Sequence, residues 1–128
     1  MALVHEFLQI TQQDGLKLRS DDFAVPYDRC QNPPTGFRVF RLKDDVVLRS
    51  IGCGRYFSGF TGMTGGMWHE GLNYWGVTLL DGRALCALTA PVGQAGRIAP
   101  GDRYEIARFR RFCDDTLKRV MWLVHFGV

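Results

Sequence analysis

The sequence predicts an α+β fold. A single domain over residues 1–128 is expected, with a mainly antiparallel sheet of about five to six strands, a short N-terminal helix and an amphipathic C-terminal helix packed on the sheet. Three observations carry this. The middle of the chain holds β-rich runs separated by turn residues. Asp81-Gly82 lies between two apolar runs, the pair that favours a tight hairpin turn. From Ile106 onward, apolar residues recur at steps of three and four, as one face of a helix requires.

Taken in order, Leu3, Val4, Phe7 and Leu8 fall at helical spacing and Gly15 stands where a C′ glycine ends a helix, so residues 2–13 read as the first helix. Residues 26–36 contain Pro26, Asn32, Pro33, Pro34 and Gly36 and read as a loop. Phe37–Leu42 and Val46–Ile51 read as two strands joined by the polar turn Lys43-Asp44-Asp45. Leu72–Leu80 and Arg83–Ala90 read as a second hairpin, with a type I′ turn at Asp81-Gly82 and positive φ at Gly82. Both runs are apolar at successive positions, the mark of strands covered on both faces. Pro91–Gly101 is a loop. Ile106, Phe109, Cys113, Leu117, Val120 and Val124 then form the stripe of a helix from about Asp102 to Val124.

The composition is that of an ordinary globular protein, 46% apolar and 23% charged, with a net charge of +3. A dedicated nucleic-acid binder carries a larger and more clustered basic excess. The opening residues lack the basic region of a signal peptide and no apolar run reaches membrane-spanning length. A cytoplasmic protein with reduced thiols is expected. Cys30, Cys53, Cys86 and Cys113 form no C-x-x-C pair, which excludes the common zinc and thioredoxin motifs. Cys86 in its apolar run and Cys113 on the helical stripe read as small buried hydrophobes. No cofactor and no metal are expected.

One segment stands apart. Between Gly52 and Gly76, eight glycines alternate with Tyr56, Phe57, Phe60, Trp68, Tyr74 and Trp75. Glycine lets backbone approach a ligand closely, yet neither the phosphate-loop nor the dinucleotide spacing is present. The segment also holds Cys53, His69 and Glu70, a thiol, a base and a carboxylate in the composition of a nucleophilic site. Any chain with four cysteines and three histidines offers such a trio by chance. His69-Glu70 has no second histidine at zinc-binding spacing. His5 and His125 each stand alone among apolar residues and read as structural. On the last helix, Arg108, Arg111, Lys118 and Arg119 lie opposite the apolar stripe, interleaved with Asp114 and Asp115.

No catalytic signature emerges, so the leading expectation is a small non-catalytic protein that binds a macromolecular partner. Inhibitors, immunity proteins, antitoxins and adaptors of bacterial type belong to this class. Its expected contacts are Arg55, Tyr56, Trp68, His69 and Glu70, since Trp, Tyr and Arg dominate interface energetics. The alternative is a small-molecule-binding domain or enzyme using segment 52–76. A third reading is nucleic-acid binding through the basic face of the C-terminal helix.

Overall fold

The first and last described strands pair with each other inside one six-stranded sheet. The computed structural model describes residues 3–20, 28–50, 58–61, 67–70, 72, 76–89 and 100–127. Its strands are β1 (Val4–Thr11), β2 (Val39–Lys43), β3 (Ser58–Thr61), β4 (Met67–Glu70), β5 (Val77–Leu80) and β6 (Met121–Phe126). They lie in the order β2-β1-β6-β5-β3-β4, and every neighbouring pair is antiparallel. The helices are α1 (Gln12–Ser20), α2 (Asp28–Gln31), α3 (Asp44–Ser50), α4 (Gly82–Thr89) and α5 (Arg103–Lys118), the last preceded by a 3-10 turn at Pro100–Asp102. The α+β class and the antiparallel sheet are as expected, but several elements differ from their sequence reading.

The first is β1. Its residues alternate between two cores. Phe7 joins Leu42, Leu80, Leu123 and the buried stripe of α5, whereas Leu8 and Ile10 join Cys30, Leu79, Val124 and Phe126 on the other face. A strand buried on both faces has no polar side, so its short apolar run carries no period-two signal and mimics a helix. Gly15 does not end a helix; it lies within α1, beneath Trp122. A Cβ at Gly15 would sit only 2.7 Å from Trp122 Cζ3, so this close approach of helix to sheet requires glycine.

The expected hairpin at Asp81-Gly82 is absent. β5 runs directly into α4, and the Asp81 carboxylate accepts the Ala84 N–H (3.1 Å), as an N-cap side chain does. Gly82 is not among the positive-φ residues, so no left-handed turn strain exists there. Ala84, Leu85 and Leu88 turn inward from α4 and Cys86 is exposed, which corrects the reading of Cys86 as buried. Residues 46–50 belong to α3 rather than to a strand. Asp44 and Asp45 occupy its first turn, where carboxylates favour the helix dipole, and Val46 and Val47 are buried.

The C-terminal stripe is confirmed in its first half. Ile106, Phe109, Phe112 and Cys113 are buried and Leu117 packs against the same core. The helix then stops at Lys118, and the residues expected to continue it form β6. Val120 is 65% exposed rather than part of the core, and it holds φ at 56°. It is the left-handed residue that closes α5, with its N–H donating to Leu117 O (2.9 Å). β-Branched residues tolerate that conformation poorly. Val120→Gly is therefore expected to raise stability by about 1 kcal/mol, the left-handed penalty outweighing the extra backbone entropy of glycine. A shift of the denaturation midpoint to lower denaturant would contradict this assignment.

Candidate functional site

Two arrangements of polar side chains stand out, one buried and one open. The buried one joins β1, β6 and α3. His5 Nδ1 lies 2.7 Å from His125 Nε2, and His5 Nε2 lies 2.9 Å from Asp44 Oδ1. Both imidazoles are 0% exposed and stack with 13° between their planes. With the Asp44 carboxylate as acceptor, His5 Nε2 is the donor of that bond, and the His5 Nδ1–His125 Nε2 contact is a second hydrogen bond whose direction is set by the tautomers. Both ring nitrogens of His5 are thus engaged by side chains. Among the described residues, no group of three or more metal-ligating side chains forms a metal site. The chain of carboxylate and imidazoles acts as a clamp that ties the start of α3 to β1 and β6. Sequence separation hid it: His5 and His125 are 120 positions apart and His5 and Asp44 are 39 apart.

A second buried group, Gln9, fixes α5. Gln9 Nε2 donates to Thr116 Oγ1 (2.9 Å) and Asp115 Oδ2 (3.4 Å). Its Oε1 accepts from the Arg38 N–H (3.2 Å) and from Arg119 Nη1 (2.6 Å). Arg119 Nη2 also donates to Gly36 O. Arg119 is therefore a structural strut. Lys118 pairs with Asp114 at 3.0 Å, a hydrogen bond that raises its pKa. Of the basic face expected on this helix, Arg108 and Arg111 are left for other work.

Those two face the open site, a cleft of about 260 Å³ between α5 and β2, lined by Arg38, Phe40, Arg108, Arg111 and Phe112. Arg108, Arg111 and Phe112 lie at i, i+3 and i+4 on the helix; Arg38 and Phe40 lie at i and i+2 along β2 and its approach, so each set shares one side of its element. The two phenyl rings form the floor, 5.3 Å apart between centroids. Arg38 lies over the Phe112 ring at 5.7 Å and Arg108 over the Phe40 ring at 5.6 Å, positions that hold the guanidiniums by cation–π attraction and leave their edges for an incoming acceptor. Arg38 also meets Asp115 Oδ2 at 3.5 Å with 64% of its side chain exposed, and Arg108 meets Glu105 Oε1 at 3.4 Å. Arg111 is exposed and makes no ion pair among the described residues. The cleft thus offers donors to a carboxylate or other anion above an aromatic floor.

Of the expected contact residues, Trp68, His69 and Glu70 lie on β4, opposite Phe60, Gly59 and Ser58 of β3, on the last strand of the sheet. Arg55, Tyr56 and Cys53 lie outside the described residues. Segment 52–76 contains the paired strands β3 and β4. The cleft takes Arg108 and Arg111 from the helix face seen in sequence; Arg38 and Phe40 came from a run read only as strand, whose sole signal was a cation beside an aromatic at alternate positions. Among the described residues, the Cys30 and Cys113 thiols are buried and that of Cys86 is exposed. Burial pushes Cys30 up to about 12, aided by the charge of Glu6 and opposed by Arg41, and burial likewise raises Cys113. Among the described residues, no helix is long and apolar enough to cross a membrane. Comparison with protein-family models, with curated proteins and with solved structures finds no match to this chain.

The buried clamp makes a direct prediction. In a double-mutant cycle, His5→Phe and His125→Phe should show a coupling energy of about 1–3 kcal/mol, because each change alone strands a buried ring nitrogen. Strict additivity in urea denaturation would show that the two imidazoles do not depend on each other.

Proposed function

We propose that this protein is a non-catalytic binding module for a macromolecular partner, of the inhibitor, immunity-protein, antitoxin or adaptor kind, and that the cleft between β2 and α5 receives an acidic group of that partner. The observation that carries this reading is an open cleft of about 260 Å³ lined by three arginines and two phenylalanines, with Arg38 and Arg108 each over a phenyl ring. Sites that enclose whole small molecules run from roughly 300 to 1,000 Å³. This cleft suits one anionic side chain presented by a larger body. Arginine and aromatic residues are also the types that anchor interfaces.

The cleft is a discrete site rather than a basic stripe. Lys118 is matched by Asp114, Arg119 is held by Gln9 and Gly36, and Glu105 and Asp115 flank the cleft itself. A phosphate backbone has a charge every few ångströms and would meet these carboxylates, which weighs against the nucleic-acid reading. Within the same proposal, Arg55, Tyr56, Trp68, His69 and Glu70 form a second contact region. β4 and β2 are the two end strands, separated by five strand spacings or about 24 Å. Changes at Trp68, His69 and Glu70 should therefore act independently of changes at the cleft.

The test uses polyglutamate and a single-stranded DNA oligonucleotide of matched charge, each titrated into the full chain at physiological ionic strength. Polyglutamate should bind more tightly, and Arg111→Glu should weaken it about tenfold or more with Tm unchanged. Tighter, steeply salt-dependent binding of the oligonucleotide would favour a phosphate reader instead. Indifference to Arg111→Glu would remove the cleft from the account.

A further inference from the structure

The cleft lies beside an open strand edge, and the hydrogen-bond register of β2 shows which of its backbone groups face outward. Gln9 N donates to Arg38 O and Asp44 N donates to Leu3 O, each at 3.0 Å. The Cα register between these points runs from Val4 opposite Lys43 to Leu8 opposite Val39. In an antiparallel pair, hydrogen-bonded positions alternate along the strand. Residues 38, 40, 42 and 44 therefore turn their N–H and C=O toward β1. Val39, Arg41 and Lys43 turn theirs away from it, toward the side where, among the described residues, the sheet has no further strand. Among the described residues, nothing pairs with these outward groups.

We infer that β2 is a docking strand for an extended acidic segment of a partner protein, which adds to the sheet beyond β2 and sets its carboxylates into the arginine cleft. The inference rests on the binding-module reading above and names the form its partner takes. Strand addition supplies affinity through backbone hydrogen bonds, and side chains at alternate positions supply specificity. An added strand lies about 4.8 Å outside β2. Every second side chain then falls on the α5 side, next to Arg38 and Phe40 and within reach of Arg108 and Arg111. The intervening side chains fall on the opposite side with Arg41 and Lys43. Cations therefore meet the segment on both faces.

Charge selects the occupant. Arg38, Arg41, Lys43, Arg108 and Arg111 line this edge, against Glu6, Glu105 and Asp115, which hold one arginine each. Lys43 and Arg111 carry no ion pair among the described residues. A second copy of β2 would bring like charges together, and basic residues on an edge strand are a known guard against self-pairing. An acidic heterologous segment meets the complementary condition. A nucleic acid cannot satisfy the outward N–H and C=O groups as a ladder.

The experiment uses the full chain labelled with nitrogen-15 and two acetylated probe peptides. One alternates Glu with Val; the other alternates Glu with Pro, which keeps the charge and removes the donors needed for a ladder. With the Glu/Val peptide bound, amide exchange at Val39, Arg41 and Lys43 should slow about tenfold or more, while the Glu/Pro peptide binds about tenfold more weakly. If the Glu/Val peptide binds through Arg111 yet leaves these three amides unprotected, strand addition is wrong and the cleft reading stands. If it fails to bind at millimolar concentration while polyglutamate binds, strand addition is likewise overturned. Failure of both ligands overturns the cleft reading as well. Concentration-dependent dimers with the same three amides protected would assign the edge to a second copy and also refute the inference.

Discussion

Everything else in this molecule depends on the pairing of its first strand with its last. β1 and β6 run together from Glu6 opposite Phe126 to Thr11 opposite Met121, as interior strands of the sheet with cores on both faces. Fully burying each of Phe7, Leu8 and Ile10 contributes about 1.5–3 kcal/mol, but apolar burial alone does not define a register. Two buried polar side chains do. His5 and Gln9 need partners, at about 1–3 kcal/mol for each polar group left unsatisfied. Those partners lie on one face only: Asp44 and His125 for His5, and Thr116 with Arg119 for Gln9. A slip of one residue would turn both toward the opposite core and strand them.

The cleft inherits its geometry from that register. Once Gln9 is placed, its amide draws Thr116 of α5 down on one side and accepts from the backbone of Arg38 on the other. The helix and the edge strand are thus set against each other by one buried glutamine. From Thr116, one turn back along α5 brings Phe112 against Phe40, and Arg111 and Arg108 before it line the cleft. Arg38 and Phe40 share the parity of Leu42, which packs in the core beneath α5, so their side chains rise on the same side. The buried contacts of Gln9 thereby fix the backbone positions from which the charged groups reach the surface.

Much of this was legible in the sequence, and the failures have physical causes. The α5 stripe from Ile106 to Cys113 was readable because one face of that helix is solvated, which keeps the 3.6-residue period visible. β1 was misread because both its faces are buried, and Leu3, Val4, Phe7 and Leu8 then fit either period. Asp81-Gly82 satisfies a hairpin turn and a helix N-terminus equally well; the deciding signal was Ala84, Leu85 and Leu88 at helical spacing in residues of high helix propensity. The stop at Val120 had no sequence cue, since a valine occupies the position where glycine is usual. Arg108 and Arg111 were identified as a basic face, yet their partners Arg38 and Phe40 lie about seventy residues earlier in the chain and only the sheet brings them together.

Above all, Arg38, Arg108 and Arg111 are proposed to act together as one site for a carboxylate. Titration of N-acetylglutamate amide into the labelled protein, followed through the arginine Nε–Hε resonances, tests this most directly. The signals of Arg38, Arg108 and Arg111 should move along a common saturation curve, while those of Arg103 and Arg110 stay in place. Uniform small shifts across all the arginines, without saturation, would mean that the anion senses only a diffuse positive surface, and would contradict the claim.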